Sequence, residues 1–561
     1  MKVLLIYPPC LEPRDHELYS EDVGITPIGL YYLGALLLEN GHQVEILNWY
    51  DLNQDPGAIK DILAQKGPDV IGFSIVNANR FGGIDIARMA KEVSSGISIV
   101  FGGIGATFLW EHLLTNFPEI DYIVLGEGEY TFLDLVRFLE SESAGDPGDI
   151  PGIAHRQNHQ ILSTPPRGHV QDLDQLPSPA KYFNFQHLIS SRGCPFNCTF
   201  CGSPGFWGRK VRFHSPEYFV DQMEELRSKG TSFFYVSDDT FTLDRDRVIR
   251  ICREILRRGL KVSWYAISSV KSVDAEVLYW MRLAGCIQIS YGVESGSQEI
   301  RNALNKKISN QEIKIAFDLT VSYGILARAY FIYGSPGESR ATIQASLDLM
   351  DEIRPLSMVS YILEIFPGTA LYEEFKQRTG TGDDIWLQRI EDIKYFEIDP
   401  ELTPEMVLEF GQLLRTEYYR RLPGYADAIR LVDLEELYPS HAEFLSRLGM
   451  TFSHGDYASL EAIPDKEGVA ERLYHKSLSY GANPRAYLGL GIILQKQGKY
   501  RESAEVLAQG TEDFPGHETL AACLCFSYIN LGRYEPVLEY ARRFPDSQRI
   551  QQYARACQNI R

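Results

Sequence analysis

The chain has 561 residues, 44% of them hydrophobic and 23% charged, and a formal net charge of −20. That length exceeds what one hydrophobic core fills and predicts several globular domains. The negative charge argues against a general nucleic-acid binder and against an anchor on anionic membranes. No apolar run reaches the roughly 18 residues of a membrane span, and nine cysteines are too few for a disulfide framework.

The first predicted element is a strand at Val3–Tyr7. The run Met1–Pro9 is too short and too proline-bounded for a secretory signal, so a reducing cytoplasmic location is expected. A helix over Ile28–Leu38 follows, then strands at Val44–Leu47, Val70–Ile75, Ile97–Phe101 and Tyr122–Leu125. Short β-rich runs between helices predict an α/β fold here, a parallel, doubly wound (Rossmann-like) sheet over residues 1–140. Such sheets bind ligands beyond the carboxyl ends of their strands. Glycines gather there: Gly102, Gly103 and Gly105 after one strand, Gly126 and Gly128 around Glu127 after another. The first strand-to-helix turn is Pro8-Pro9-Cys10, not G-x-G-x-x-G, which weakens a dinucleotide reading. Residues 141–186 carry Gly, Pro, Asp and Ser clusters, including Gly145–Gly152 and Leu176–Pro179, and are expected to form a surface linker.

Residues 187–395 open with Cys194, Cys198 and Cys201, spaced C-x3-C-x2-C. Soft thiolates in so short a loop suit one iron–sulfur cube, and three of them leave its fourth iron open. A structural zinc site would want a fourth ligand at matching spacing, and Cys252 and Cys286 are isolated. A strand at His187–Ser191 and others at Phe233–Val236, Val262–Ile267, Ile287–Tyr291, Leu326–Tyr333 and Val359–Leu363 make six β/α units and predict a partial parallel barrel. Barrels place chemistry at the carboxyl ends of their strands. Asp238-Asp239, Glu294, Gly334-Ser-Pro336 and Pro367-Gly-Thr369 all fall there, although Asp238-Asp239 could instead cap a helix starting near Arg245. Arg328 lies within an apolar strand and needs a partner, Glu294 being one candidate. Tyr265, Tyr330 and Tyr333 are expected to line the barrel.

The cysteine spacing, with Phe200 just before the last thiol, resembles the cluster loop of the radical S-adenosylmethionine (SAM) superfamily. The resemblance implies a [4Fe–4S] cluster on Cys194, Cys198 and Cys201. It also implies SAM at the open iron, contacted by Phe200, Asp238, Asp239, Glu294, Arg328, Gly334 and Pro336. The first 140 residues resemble the cobalamin-binding domain that precedes many radical SAM domains, through Tyr7-Pro-Pro9, Thr26–Leu30, Gly41–Val44, Phe101–Thr107 and Gly126–Thr131. That implies a cobalamin site at Ser74, Gly102, Gly103, Gly105, Gly126, Glu127 and Gly128. The usual Asp-x-His-x-x-Gly run is absent, and Asp15-His16 has the wrong spacing, so cobalt is expected without a protein histidine. A domain that binds nothing is the alternative.

Residues 396–455 read as a helical connector. In residues 456–561, Gly498-Lys-Tyr500 recurs as Gly532-Arg-Tyr534 after 34 residues (532 − 498), which resembles tetratricopeptide repeats. Such helical repeats bind a partner protein or peptide, or serve here only as a cap. Together the resemblances imply a cobalamin-dependent radical SAM enzyme that forms a 5′-deoxyadenosyl radical and methylates an unactivated carbon. Radical cyclisation, ring contraction or C–C coupling are the alternatives among enzymes, and an interaction protein with a structural cluster is the alternative outside them. A small-molecule or peptide substrate and an external electron donor of flavodoxin or ferredoxin type are also implied. Neither the substrate nor a catalytic acid–base residue is identified.

Overall fold

The computed structural model describes residues 1–10, 27–50, 55–141, 146–158 and 160–560. Asp15, His16, Thr26 and Gly145 lie outside them. Strands β1 (Lys2–Tyr7), β2 (Gln43–Asn48), β3 (Val70–Ser74), β4 (Ser98–Gly102) and β5 (Tyr122–Val124) pair in parallel in the order β2-β1-β3-β4-β5. Leu4, Leu5 and Ile6 are all buried, so both faces of β1 are covered and its sequence is a continuous apolar run. Helices Ile28–Glu39 and Glu129–Glu140 pack together, as do Pro56–Lys66 and Arg80–Val93. Strand order reverses between β1 and β3, which opens a crevice beyond the carboxyl ends.

The stretch expected to be linker is partly sheet. Strand β6 (Ile153–Gln157) pairs antiparallel with β5, and β7 (Gln160–Ser163) pairs with β6. Ile153 and Ala154 are fully buried on this edge. Their short run was masked by the turn residues around it, such as Gly152 at φ 84°. Farther on, Leu173, Leu176 and Ala180 are buried as well, so the segment packs rather than loops over the surface.

The second sheet holds β8 (His187–Leu188), β11 (Phe233–Val236), β12 (Ser263–Ser268), β13 (Cys286–Glu294), β14 (Leu326–Tyr333) and β15 (Ser357–Ile362), all parallel and in that order. In the sequence between β8 and β11, β9 (Ser191–Arg192) and β10 (Arg212–Phe213) form a separate antiparallel ribbon. The strand expected to run unbroken over His187–Ser191 stops at Leu188. Its next amides leave the ladder because Ser190 and Ser191 donate their N–H and hydroxyl groups to the Asp238 carboxylate, at 2.6–3.2 Å. A second ribbon pairs β16 (Glu364–Ile365) with β17 (Ile393–Lys394). Helix Pro404–Asp427 lies against β15 and helix Arg340–Ile353, covering that edge of the sheet.

Six helices end the chain, and those beginning at Lys466, Tyr500 and Tyr534 start 34 residues apart (500 − 466 and 534 − 500). Gly498 and Gly532 both take left-handed φ, 74° and 68°, at equivalent turns. The first two of these helices share the main apolar core through Leu473, Tyr474, Ile493 and Leu494, whereas Leu507, Leu520, Cys525 and Val537 belong to smaller separate clusters.

Candidate active site

The cysteine loop leaves β9 through Gly193, at φ 102°, where an added Cβ would lie 3.0 Å from the Lys210 carbonyl oxygen. The loop is pinned by main-chain bonds from Thr199 N–H to Leu304 O (3.1 Å) and from Leu371 N–H to Thr199 O (3.1 Å). Cys194, Cys198 and Cys201 then line one cavity of about 520 Å³, together with Phe200, Asp239, Glu294, Lys306, Tyr330 and Glu364. Burial pushes the Cys198 thiol up to about 11, against the pull of Lys306, and it raises Cys194 and Cys201 too. These thiols hold their protons until a metal displaces them. No trio of His, Cys, Asp or Glu among the described residues is gathered to hold a single metal ion. Three thiols lining one cavity suit a cube, in which each thiolate takes a different iron.

Glu294 ends β13 at a register shift and has φ 66°, a left-handed conformation that costs a non-glycine residue about 1–3 kcal/mol. Its Oε1 accepts from Lys306 Nζ at 2.9 Å. Burial opposes the Lys306 charge, but Glu294 and Cys198 hold its pKa above the ordinary lysine value. The cavity therefore offers an ammonium and a carboxylate side by side, a fitting pair for the two ends of an amino-acid zwitterion.

The other residues expected around SAM divide. Asp239 lines the cavity, its carboxylate accepting from Ser203 Oγ at 2.6 Å, and burial with help from Asp238 raises its pKa. Asp238 is outside the lining, occupied by Ser190 and Ser191, and neither aspartate caps the next helix. Asp244 does that, accepting from Arg247 N–H at 3.0 Å. Arg328 also lies outside the lining and donates to Ser357 Oγ at 3.0 Å. The register pairs Glu294 with Phe331, three residues beyond Arg328 and so about 10 Å along the strand. Arg328 is therefore not the partner of Glu294. Gly334 and Pro336 are not in the lining, and the N–H groups of Gly334 and Ser335 turn to the Glu338 carboxylate.

A second cavity of about 370 Å³ opens at the carboxyl ends of the first sheet. Ser74, Gly102, Gly103, Gly126, Glu127 and Gly128 line it, facing Arg192 and Trp207 from the second sheet's side. Gly103 has φ 93°, and an added Cβ would meet Ile75 O at 2.9 Å. Gly105 is outside the lining and serves packing: its Cβ would lie 2.7 Å from the Val76 carbonyl carbon. Glu127 is engaged by protein, accepting from Arg192 and Arg212 at 2.8 Å and from Val170 N–H at 2.8 Å. Burial alone would raise its pKa, but the two guanidinium groups hold it below the ordinary value. Arg192 also binds Glu129 at 2.6 Å. No imidazole, thiol or thioether appears among the described residues of this lining. Asp239 lines both cavities, so the two spaces lie within one side chain's reach of each other.

Two features were not anticipated from sequence. Lys306 stood in an unremarkable Lys-Lys pair. Glu364, within the apolar run Tyr361-Ile-Leu-Glu-Ile-Phe366, lines the first cavity, and burial with the adjoining Asp392 lifts its pKa to about 8.

The sequence pattern of the Radical SAM superfamily matches residues 188–350, and that of the B12 binding domain matches residues 23–136. An uncharacterized methyltransferase of Pyrococcus horikoshii is 31% identical over 387 residues, 66% of this chain and 83% of that protein. The chain belongs to the B12-binding radical SAM family. As a radical SAM enzyme it uses the cofactors of its two matched domains, a [4Fe–4S] cluster with SAM and cobalamin. The anaerobic magnesium-protoporphyrin IX monomethyl ester cyclase of Rubrivivax gelatinosus is 28% identical to this enzyme over 436 residues, 74% of this chain and 75% of that one. A solved structure of the methyltransferase TsrM from Kitasatospora setae, with cobalamin and a [4Fe–4S] cluster bound, matches with a TM-score of 0.60 at 17% identity. It covers 85% of this chain and 99% of that one, which shows a shared fold. No helix among the described residues is long and apolar enough to cross a membrane.

Proposed function

We propose that this enzyme transfers a methyl group to an unactivated carbon, with Cys194, Cys198 and Cys201 holding the cluster in the larger cavity and cobalamin seated in the smaller. The observation that carries this reading is that one residue, Asp239, lines both cavities and so brings the two spaces close together. A reactant bound there would touch both cofactor spaces, and holding reactants together removes much of the entropic barrier. When bound, the cluster supplies the electron that cleaves SAM to a 5′-deoxyadenosyl radical, and cobalamin supplies the methyl group.

The protein's own residues bind and orient. Lys306 meets the SAM carboxylate, Glu294 and Asp239 the amine and ribose side, and Phe200 the adenine. Asp238 positions the loop through Ser190 and Ser191, and Arg328 supports the sheet interior through Ser357. The lining glycines of the first sheet allow close approach of the corrinoid. We read the six-stranded sheet as an open barrel and the 34-residue helical period as tetratricopeptide-like. The substrate is a small molecule or peptide, the location a reducing cytoplasm, and the electron donor an external carrier protein.

One relative is a methyltransferase and another a cyclase, which keeps radical cyclisation as the second reading. Anaerobic incubation of the loaded enzyme with SAM and a strong reductant decides between them. Methyl transfer predicts S-adenosylhomocysteine alongside 5′-deoxyadenosine. 5′-Deoxyadenosine with no S-adenosylhomocysteine would replace it by the second reading.

A further inference from the structure

Resting on the reading that SAM and its cluster occupy the first cavity, we propose that Arg328 seats a carboxylate of the substrate, in the hollow of the second sheet one row deeper than that cavity. Arg328 stands on β14, whose residues alternate strictly. Leu326, Arg328, Tyr330 and Ile332 keep exposed surface, and the residues between them are buried. Tyr330 and Ile332 line the first cavity, so Arg328 shares their face, two residues and about 7 Å below Tyr330. Strand β12 repeats the pattern. Ser263, Tyr265 and Ile267 keep exposed surface, Trp264 and Ala266 are buried, and Ile267 also lines the cavity. Phe233 and Tyr235 of β11 are open in the same way. A closed barrel fills its interior with side chains, whereas here the inward rows of three strands retain open space.

Within that space Arg328 is a cation without a counter-charge. Its Nε donates to Ser357 Oγ at 3.0 Å, and among the described residues it forms no ion pair. Its two terminal nitrogens are not sealed off from solvent. The strand pairing sets Ile267, Ser290 and Ser357 level with it, and none of these is charged. Burial raises the pKa of the Tyr265 hydroxyl and Arg328 pulls it down, which puts that ring and the guanidinium in one space; Arg447 and Asp456 act on the same hydroxyl with opposite signs. A cation drawn from water needs a partner, and one hydroxyl does not neutralise it. With Nε taken, the two terminal nitrogens present the planar fork that a carboxylate accepts bidentately. One guanidinium matches one negative charge, so a carboxylate fits better than a phosphate dianion. The SAM carboxylate already has Lys306 beside Glu294 in the cavity above. The rings of Tyr265 and Tyr330 suit an apolar or aromatic body, which would reach from its anchored carboxylate up towards the SAM space.

The test is a fluorine NMR titration of the anaerobically reconstituted full-length enzyme, with and without SAM. The probe is para-fluorophenylacetate, and para-fluorophenylacetamide is its neutral control. The parent is expected to bind the acid about tenfold or more tightly than the amide, the worth of a charge-assisted pair of hydrogen bonds, and Arg328→Gln to erase that preference. Arg328→Lys keeps the charge without the fork and should lie between. The comparison of acid with amide in the parent needs no variant, so it stands even where Arg328→Gln fails to fold. No saturable binding of the acid, equal affinity for acid and amide in the parent, or an acid preference unchanged in Arg328→Gln would overturn the proposal. So would displacement of the acid by SAM, which would give the guanidinium to the cofactor. 5′-Deoxyadenosine formation by the parent under dithionite is measured separately. If none forms, the radical SAM reading fails, and the titration still reports on Arg328 by itself.

Discussion

Arg192 joins the β9 ribbon to the first domain beside the second cavity, and its removal has a calculable consequence. Its side chain is 3% exposed, and its guanidinium binds Glu127 at 2.8 Å and Glu129 at 2.6 Å, carboxylates that are themselves 5% and 6% exposed. Arg192→Ala leaves two buried carboxylates with Arg212, which reaches only Glu127 among them. Stripping one partner from a buried pair costs about 3–5 kcal/mol, because the remaining charge stays desolvated and unpaired. That is a large share of the roughly 5–15 kcal/mol by which proteins are stable. Replacing both partners by apolar residues avoids the stranded charge, so R192M/E129M should regain most of the loss, with Glu127 still held by Arg212. Urea unfolding of the cofactor-free protein, followed by circular dichroism at its first transition, measures both variants. R192A within about 1 kcal/mol of the parent, or a double variant as unstable as the sum of the singles, would refute the reasoning.

Glu364 has a folded-state pKa raised from 4.5 to about 8 by burial first and by Asp392 second, with Glu391 adding and Lys394 opposing. The folded protein thus keeps a proton that the unfolded chain releases, so this group's stability is full below about pH 4.5 and is lost as pH rises through 8. E364Q should flatten the stability–pH curve between those values, and an unchanged slope would show that the carboxyl is already ionised. Lys306→Ala should weaken SAM binding by about tenfold to a hundredfold, the worth of one or so charge-assisted hydrogen bonds, with Lys306→Arg recovering part of it; calorimetric affinity equal to the parent's would exclude the residue from the site. Deleting residues 533–561 should leave cofactor loading intact, whereas deleting from Ser459 should not, because Leu473, Tyr474, Ile493 and Leu494 belong to the main core. Soluble, cofactor-loaded protein from the longer deletion would contradict that core.

Much of this was legible in the sequence where one physical cause dominates. The inner strands of the first sheet are buried on both faces, so runs such as Val3–Tyr7 and Val70–Phe73 announce themselves. Cys194, Cys198 and Cys201 carry their chemistry in their spacing. What was not legible depends on direction or register. Asp238 and Asp239 are adjacent, and only the path of the chain beyond the end of β11 decides that one meets Ser190 and Ser191 while the other reaches the cavities. Arg328 and Glu294 sit on neighbouring strands, and the register separates them. Lys306 meets Glu294 only because the chain returns across the end of β13. The β6–β7 hairpin was hidden because its turn residues outnumber its short buried run.

The most direct test of the central claim compares 5′-deoxyadenosine production by the anaerobically reconstituted parent with that of the C194A/C198A/C201A variant, under dithionite and excess SAM. Steady formation by the parent and none above background by the variant is expected, with cobalamin still retained in the second cavity. A triple variant that forms 5′-deoxyadenosine at the parental rate would contradict the assignment of these three thiols to the cluster.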